Sequence, residues 1–258
     1  MKVDIRSATD AEIGQLGLMG SYSYGGAFGD GENNAAATGV KPEWTLCAFD
    51  TDATHSNGQP LMVTSFSALP FTTRVNGNAM AMAGISTVGT RPDYRRQGLV
   101  RKIMTQALAD QRDRGQSLAG LWASQAAIYQ RYGFAPAGMN RCYAIDTQDI
   151  NLLDMPEVGE EPKVVRCSID QGFEPARELY KRFISQRTGY LHRGKTLWMN
   201  NVLADKADDG PLYIALAGSL EEPRGYVVYS LRAGKVVHKS RPQEIKIRDL
   251  AWLDLAAY

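Results

Sequence analysis

The chain has 258 residues, an apolar fraction of 44% and a formal net charge of +1 at neutral pH. This length predicts one large domain or two small ones, and the apolar fraction is ample for a packed core. A net charge this close to zero excludes the general basic field that nucleic acids and anionic membranes attract. No apolar run reaches about 18 residues and the N-terminus is polar, so we predict a cytoplasmic protein without a membrane span or secretory signal.

The residues that most often bind metals or form disulfides are scattered along the chain. The three cysteines, Cys47, Cys142 and Cys167, form no CxxC pair, and we expect buried thiols rather than disulfides or a zinc site. The three histidines lie far apart without HExxH spacing, which also argues against a zinc enzyme. Neither GxxxxGK(S/T) nor GxSxG occurs, so a P-loop nucleotide site and an α/β-hydrolase triad are not expected.

The N-terminal residues predict a helix followed by a glycine-rich segment. Thr9 and Glu12 have the spacing of a capping box, and an apolar helical face continues to Met19. Residues 21–39 then combine glycine, serine and asparagine with aromatic side chains. Two interpretations stay open, a mobile surface loop or a lid whose aromatic residues line a ligand pocket. The aromatic residues of this segment are Tyr22, Tyr24 and Phe28.

Residues 43–90 predict an antiparallel meander, because β-rich runs are separated by tight turns at Asn57-Gly58 and Asn76-Gly77. The predicted strands are Trp44–Phe49, Leu61–Leu69 and Ala79–Val88. A helix with two apolar rows follows from Leu99 and is closed by Gly115. The last elements predicted for this half are a strand at Leu118–Ala123, a short helix at Gln125–Arg131 and a strand at Gly138–Ile145. This order indicates an α/β or α+β domain with a mixed sheet.

Residues 147–162 are acidic, contain two prolines and lack a period, which is typical of a linker. We therefore predict an N-terminal domain at 1–146, a linker at 147–162 and a second α+β domain at 163–258. Its predicted elements are strands at Val164–Cys167, Leu212–Ala217, Tyr226–Leu231 and Glu244–Leu250, with helices at about Glu174–Gln186 and near Leu197. Asp254 could cap a helix, but a single turn is unstable alone. Either the end packs irregularly or, as we favour, the natural protein is longer and the second domain is incomplete.

The stretch Arg91–Arg101 carries the clearest chemical signal in the sequence. It contains four arginines and joins an apolar strand to a helix through Gly98. Unpaired N–H groups at the positive end of a helix dipole suit a ligand that carries phosphate. A merely solvated basic face is the alternative, but the glycine at the helix start favours phosphate.

Two motifs in this half resemble those of the GCN5-related N-acetyltransferases (GNATs). Arg95–Val100, with the sequence RRQGLV, approximates their (Q/R)-x-x-G-x-(G/A) signature, although Val100 stands where glycine or alanine is usual. About 30 residues later, Tyr129, Gly133 and Phe134 match their Y-x-x-x-G-F element. The wider pattern is similar to the enhanced intracellular survival (Eis) type, well over the first 146 residues and more weakly beyond 163.

The resemblance implies a GNAT fold with a mixed, mostly antiparallel sheet, followed by a second GNAT-like α+β domain without cofactor. The Eis type also has a third, C-terminal domain, which we expect this chain to lack. It further implies a homo-oligomer, a hexamer in that family. In Eis-type enzymes the terminal carboxylate of the third domain is thought to serve in the active site. The general base therefore stays unassigned here.

The resemblance also implies acetyl-CoA as acetyl donor, without a metal. Val88, Gly89 and Thr90 would bind its pantetheine arm as an added strand does. The pyrophosphate would lie on Arg96, Gln97, Gly98, Leu99, Val100 and Arg101. Ser124 and Gln125 would lie beside the thioester, although the family more often has an acidic residue in place of Gln125. Tyr129 would protonate the departing thiolate, with a core tyrosine as the alternative, whereas Tyr132 is expected to pack.

The predicted acceptor is a primary amine of a small polycationic molecule such as an aminoglycoside. Asp30 and Glu32 in the glycine-rich segment suit a cationic acceptor. A protein lysine is the alternative acceptor, and a CoA-binding module without turnover is the alternative function. No nucleic-acid partner is expected.

Overall fold

The computed structural model describes residues 2–24, 40–146, 149–150, 162–204, 209–233 and 243–258. The chain divides into two compact units. Unit 1 contains Met1–Thr73 and Ala79–Asn140, and unit 2 contains Arg74–Asn78 and Arg141–Tyr258. Within the described ranges no helix is long and apolar enough to cross a membrane.

Unit 1 is built on a mixed five-stranded sheet with the order β1-β2-β3-β4-β5. Its elements are β1 (Val3–Arg6), α1 (Leu16–Tyr24), β2 (Cys47–Thr54), β3 (Pro60–Val75), β4 (Asn78–Thr90), α2 (Leu99–Asp113) and β5 (Leu118–Leu121). Strand β2 runs antiparallel to both β1 and β3. Strands β4 and β5 are parallel, because α2 carries the chain back across the sheet between them.

The sheet of unit 1 is covered on both faces. Helix α1 packs Leu16 and Met19 against Phe49 on one face. Helix α2 packs Leu99 and Ile103 on the other face, in a core that includes Phe66 and Ile85. The apolar rows predicted for α2 are therefore confirmed, since its buried residues recur at helical spacing from Leu99 to Ala107.

Unit 2 has a four-stranded sheet with the order β6-β7-β8-β9, in which every neighbouring pair is antiparallel. Its elements are β6 (Val164–Cys167), α3 (Ile169–Ile184), α4 (Lys195–Leu197), a π-helical turn (Trp198–Val202), β7 (Leu212–Gly218), β8 (Pro223–Ala233) and β9 (Gln243–Trp252). Trp198 is fully buried at the centre of the core. Its ring meets those of Phe173, Tyr180 and Tyr226 at centroid distances of 5.7 to 5.9 Å.

Several predicted elements differ from the structure. The strand predicted at Gly138–Ile145 is wrong, because residues 135–146 have no regular structure and Met139, Tyr143 and Ile145 are exposed. Their alternation resembles a strand, but among the described residues β5 is hydrogen-bonded to β4 alone. Strand β1 was not predicted, since its four residues mix charged and apolar side chains.

Two further predictions need correction. The segment predicted as a loop from residue 21 is still helical up to Tyr24, where α1 ends. The short helix predicted at Gln125–Arg131 is two 3-10 turns, Ala126–Ile128 and Gln130–Tyr132. Phe28, Asp30, Glu32 and most of the linker lie outside the described residues.

Candidate functional site

A cleft of about 640 Å³ opens in unit 1 beyond the paired part of β4 and β5. The last paired residues are Ile85 and Leu121. Past them, the end of β4 forms one wall and the chain that follows β5 forms the other. Parallel strands that separate at one end leave main-chain groups without a partner strand, and such an opening is a common place for a ligand.

All twelve residues that the sequence predicted for the site line this cleft. From β4 and the start of α2 they are Val88, Gly89, Thr90, Arg96, Gln97, Gly98, Leu99, Val100 and Arg101, and from the chain after β5 they are Ser124, Gln125 and Tyr129. The cleft has further residues that the sequence did not assign to it. These are Tyr22, Ser23, Tyr94, Arg95, Ile128, Arg131 and Tyr132.

The N-terminus of α2 points donors at the cleft. Gly98 is the N-cap residue, in a left-handed conformation with φ 76°, and no side chain caps the helix. The first N–H groups of a helix have no acceptor within it, so these donors face the cleft unpaired. Arg96 is also left-handed, with φ 63°. Two such positions in one basic turn form a concave set of N–H groups that suits an anion.

This turn is anchored to the sheet by a tyrosine. The Tyr94 hydroxyl donates to Asp50 Oδ2 on β2 at 2.9 Å. Burial raises the pKa of the Tyr94 hydroxyl, and the hydrogen bond to Asp50 raises it further. The phenol therefore stays protonated and keeps donating, which holds the turn in place beside the cleft.

Helix α1 lies directly against the end of β4. A Cβ atom at Gly89 would be 2.9 Å from Ser23 Oγ and 3.3 Å from the Met19 carbonyl oxygen. Only glycine permits this approach, which brings Tyr22 and Ser23 to the cleft. The lid interpretation of the aromatic segment thus has one described residue at the cleft, Tyr22.

Two arginines join the end of α1 to the basic turn. The Arg91 guanidinium lies 5.2 Å from the Tyr22 ring centroid. Arg95 donates from Nε to the Thr90 carbonyl at 3.3 Å and from Nη2 to the Tyr22 carbonyl at 3.4 Å. The sequence treated these arginines only as phosphate ligands. Their contacts with α1 depend on tertiary structure, which no local motif indicates.

Tyr129 lies between the two 3-10 turns, half-buried and lining the cleft. Its ring meets Phe134 edge-on at a centroid distance of 6.0 Å. Tyr132 is also half-buried and packs against the same core. Both tyrosines therefore have the packing role that the sequence offered as an alternative, and Tyr129 presents a phenol to a ligand as well.

No cysteine or histidine lines the cleft. Cys47 is fully buried, and burial raises the pKa of its thiol to about 12. Cys167 is buried as predicted, whereas Cys142 is exposed, which contradicts the prediction for that residue. Across the described ranges no three His, Cys, Asp or Glu side chains lie close enough together to hold a metal ion.

Two family models match the chain. One describes an acetyltransferase (GNAT) domain and matches residues 4–137, which include every residue that lines the cleft. Another with the same description matches residues 189–258.

Curated relatives are similar to part of the chain. The N-acetyltransferase Eis of Mycobacterium tuberculosis is 31% identical over 151 residues, which cover 57% of this chain and 37% of that protein. An uncharacterised N-acetyltransferase of Streptomyces coelicolor is 28% identical over 160 residues, covering 60% of this chain and 38% of that protein. The chain thus spans less than half the length of these relatives.

Solved structures share the fold of the whole chain. A GCN5-related N-acetyltransferase from Anabaena variabilis has a TM-score of 0.72 at 19% identity, covering 99% of this chain and 60% of that one. Eis1 from Mycobacterium abscessus has a TM-score of 0.69 at 22% identity, covering 100% of this chain and 60% of that one. With a GNAT model over more than half of its length and this fold, the chain belongs to the GCN5-related N-acetyltransferase family.

Proposed function

We propose that the protein transfers an acetyl group from acetyl-CoA to a primary amine of a small polycationic acceptor, such as an aminoglycoside. One observation carries the proposal. An uncapped basic helix start, the end of an unpaired strand and a tyrosine lie on the same cleft, in the order in which acetyl-CoA presents its pyrophosphate, pantetheine and thioester. Membership of an acetyltransferase family supports the same chemistry.

The cofactor would lie along the cleft from α2 towards Tyr129. The turn that contains Arg96 and Gly98 would bind the pyrophosphate through main-chain N–H groups, and Arg101 would add positive charge. Val88 to Thr90 would hydrogen-bond the pantetheine amides in the manner of an added strand. Ser124 and Gln125 would lie beside the thioester.

The reaction would proceed by direct attack. The neutral amine nitrogen forms a bond to the thioester carbonyl carbon, and the carbon–sulfur bond then breaks. Tyr129 gives its phenolic proton to the departing CoA thiolate, and the excess proton on nitrogen passes to water or a base that we do not assign. The products are the amide and free CoA thiol.

The proposal for the acceptor is supported by the aromatic residue Tyr22 on the cleft and by the charge of the segment that follows it. A protein lysine is the second candidate. A module that binds CoA without turnover is a third, because no residue has been assigned as base. We also propose that the protein is cytoplasmic and assembles into a homo-oligomer, a hexamer by family resemblance.

The test is release of CoA thiol from acetyl-CoA with a panel of amines that includes aminoglycosides, polyamines and a lysine peptide. We expect release that depends on the amine and is fastest with a polycationic small molecule. Release only with the peptide would support the protein-lysine alternative. Tight binding of acetyl-CoA with no release for any amine would support the non-catalytic module.

A further inference from the structure

Strand β4 bends at Thr87, where the chain enters the cleft. Thr87 has φ 49°, a left-handed conformation that a β-branched residue rarely adopts. Ala83, Ile85 and Val88 all belong to the core beneath α2. Side chains two apart share a face of a strand, so the step from Ile85 to Val88 contains one extra residue, as in a β-bulge.

Buried hydroxyl groups on β3 hold this bend. Ser65 Oγ donates to the Thr87 carbonyl at 2.5 Å, and Thr87 Oγ1 donates to Ser67 Oγ at 2.9 Å. Ser65 and Ser67 are both fully buried on β3. Burying a hydroxyl without a partner is unfavourable, so each of these bonds opposes any return of Thr87 to the extended conformation.

We propose that Ser65, Ser67 and Thr87 are positioning residues for the cofactor. They keep β4 bent, and the bend decides which groups of Val88 to Thr90 face the cleft. Without the extra residue, every later side chain of the strand would change to the opposite face. The inference rests on the proposed function, because the pantetheine arm is the ligand that this stretch would bind.

The experiment compares three residues at one position. Thr87→Val keeps the branched shape but loses the hydroxyl, and we expect acetyl-CoA to bind about tenfold more weakly, the loss of one or two hydrogen bonds. Thr87→Gly also loses the hydroxyl, but glycine adopts positive φ without strain, so affinity should stay within about threefold of wild type. Isothermal titration measures both.

Two probes separate positioning from general damage. Adenosine 3′-phosphate 5′-diphosphate carries the phosphates of CoA without the pantetheine arm, so its affinity should be the same in all three proteins. Ser230→Ala is the matched control. Ser230 is a buried serine of unit 2 whose hydroxyl has no hydrogen-bond partner in the described structure, and its removal should leave acetyl-CoA binding unchanged.

Amide hydrogen exchange gives a readout that does not need the cofactor. Exchange of residues 86–91 should be faster in Thr87→Val than in wild type or Thr87→Gly. Equal exchange in the two variants, or equal acetyl-CoA affinity of Thr87→Val and wild type, would overturn the inference. If wild type binds no acetyl-CoA, the proposed function fails, and the exchange rates alone decide whether these residues hold the bend.

Discussion

Tyr129 and Tyr132 both line the cleft and both pack at the edge of the same core, yet the proposed function assigns a proton to only one of them. Replacing Tyr129 by phenylalanine removes the hydroxyl and keeps the ring that meets Phe134. We expect turnover of acetyl-CoA to fall about 10²-fold, because the thiolate loses its acid. The dissociation constant for acetyl-CoA should change little. Steady-state kinetics and titration of the variant measure the two effects.

Tyr213→Phe is the control for that variant. Tyr213 is a half-buried tyrosine of unit 2 that stacks on Tyr229 at a centroid distance of 5.5 Å. It should keep full activity. An unchanged turnover in Tyr129→Phe would remove this residue from the mechanism and leave the thiolate to be protonated by solvent.

Glu12 is the most buried carboxylate that forms an ion pair in unit 1, with 2% of its surface exposed. Arg6 donates to it through Nη2 at 2.6 Å and Nη1 at 2.7 Å, and the Thr9 amide donates at 2.8 Å. Burial alone would raise the pKa of Glu12, but these bonds outweigh burial and hold the pKa below its usual 4.5. A lowered pKa means that folding favours the ionised form, so the pair stabilises the fold at neutral pH and loses this effect in acid.

We therefore expect Glu12→Gln to lower the free energy of unfolding by about 2 kcal/mol at pH 7, the usual worth of a hydrogen bond to a charged group. The difference from wild type should hold above pH 4.5 and shrink as the pH falls through the lowered pKa. Urea unfolding at several pH values measures it. Glu43, which is exposed and 4.0 Å from Lys41, is the control, and Glu43→Gln should change stability by less than about 0.5 kcal/mol. A difference at pH 3 as large as at pH 7 would contradict the ion-pair explanation.

At the scale of elements, α3 shows how burial and helix propensity can oppose each other. Gly172 lies in this helix, and a Cβ there would be 2.7 Å from Cys167 Sγ and 2.9 Å from Ile214 Cγ2. Gly172→Ala should therefore lower stability by about 1–3 kcal/mol, although alanine favours helix. Pro175 in the same helix is the counterpart, because it cannot donate to the preceding turn. Pro175→Ala should leave stability unchanged or raise it, and thermal unfolding of both variants measures the two signs.

The same helix shows what the sequence could predict and what it could not. Helix α2 was predicted from Leu99 because its apolar rows and Gly98 are local signals. The predicted start of α3 near Glu174 is five residues late, since Pro175 argues against a helix interior while Ser168 and Gln171 form the capping box at its true start. Strand β1 and the irregular segment 135–146 depend on which strands pair, and pairing is a long-range property.

The candidate site divides in the same way. Its twelve predicted residues came from two motifs, each within one turn of chain, and they meet because the crossover through α2 is short. Tyr22, Arg95 and the buried serines of β3 lie in other segments, and only packing brings them to the cleft or beneath it. Their role could not be predicted from spacing.

At the scale of the whole chain, the two units differ at the equivalent place after the fourth strand. In unit 1, β4 leads into the basic turn and the uncapped start of α2. In unit 2, β9 leads to Asp254, whose carboxylate accepts from the Ala257 amide at 3.1 Å and pairs with Arg224 at 2.8 Å. The hydrogen bond to Arg224 holds the pKa of Asp254 below its usual range, so this turn carries its own anion at neutral pH. A phosphate group would meet a negative charge there instead of free donors.

This contrast predicts one acetyl-CoA for each chain, bound in unit 1. Isothermal titration should give a stoichiometry near one, although GNAT models match both parts of the chain. Replacing Arg96 and Arg101 together by alanine should weaken binding about tenfold, because both side chains are exposed and each contributes a modest charge-assisted contact. Arg224→Ala, which frees Asp254 in unit 2, should leave the affinity unchanged. Two equivalents bound per chain, or a single site whose affinity responds to Arg224→Ala and not to the double variant, would place the cofactor in unit 2 and contradict the assignment of the cleft.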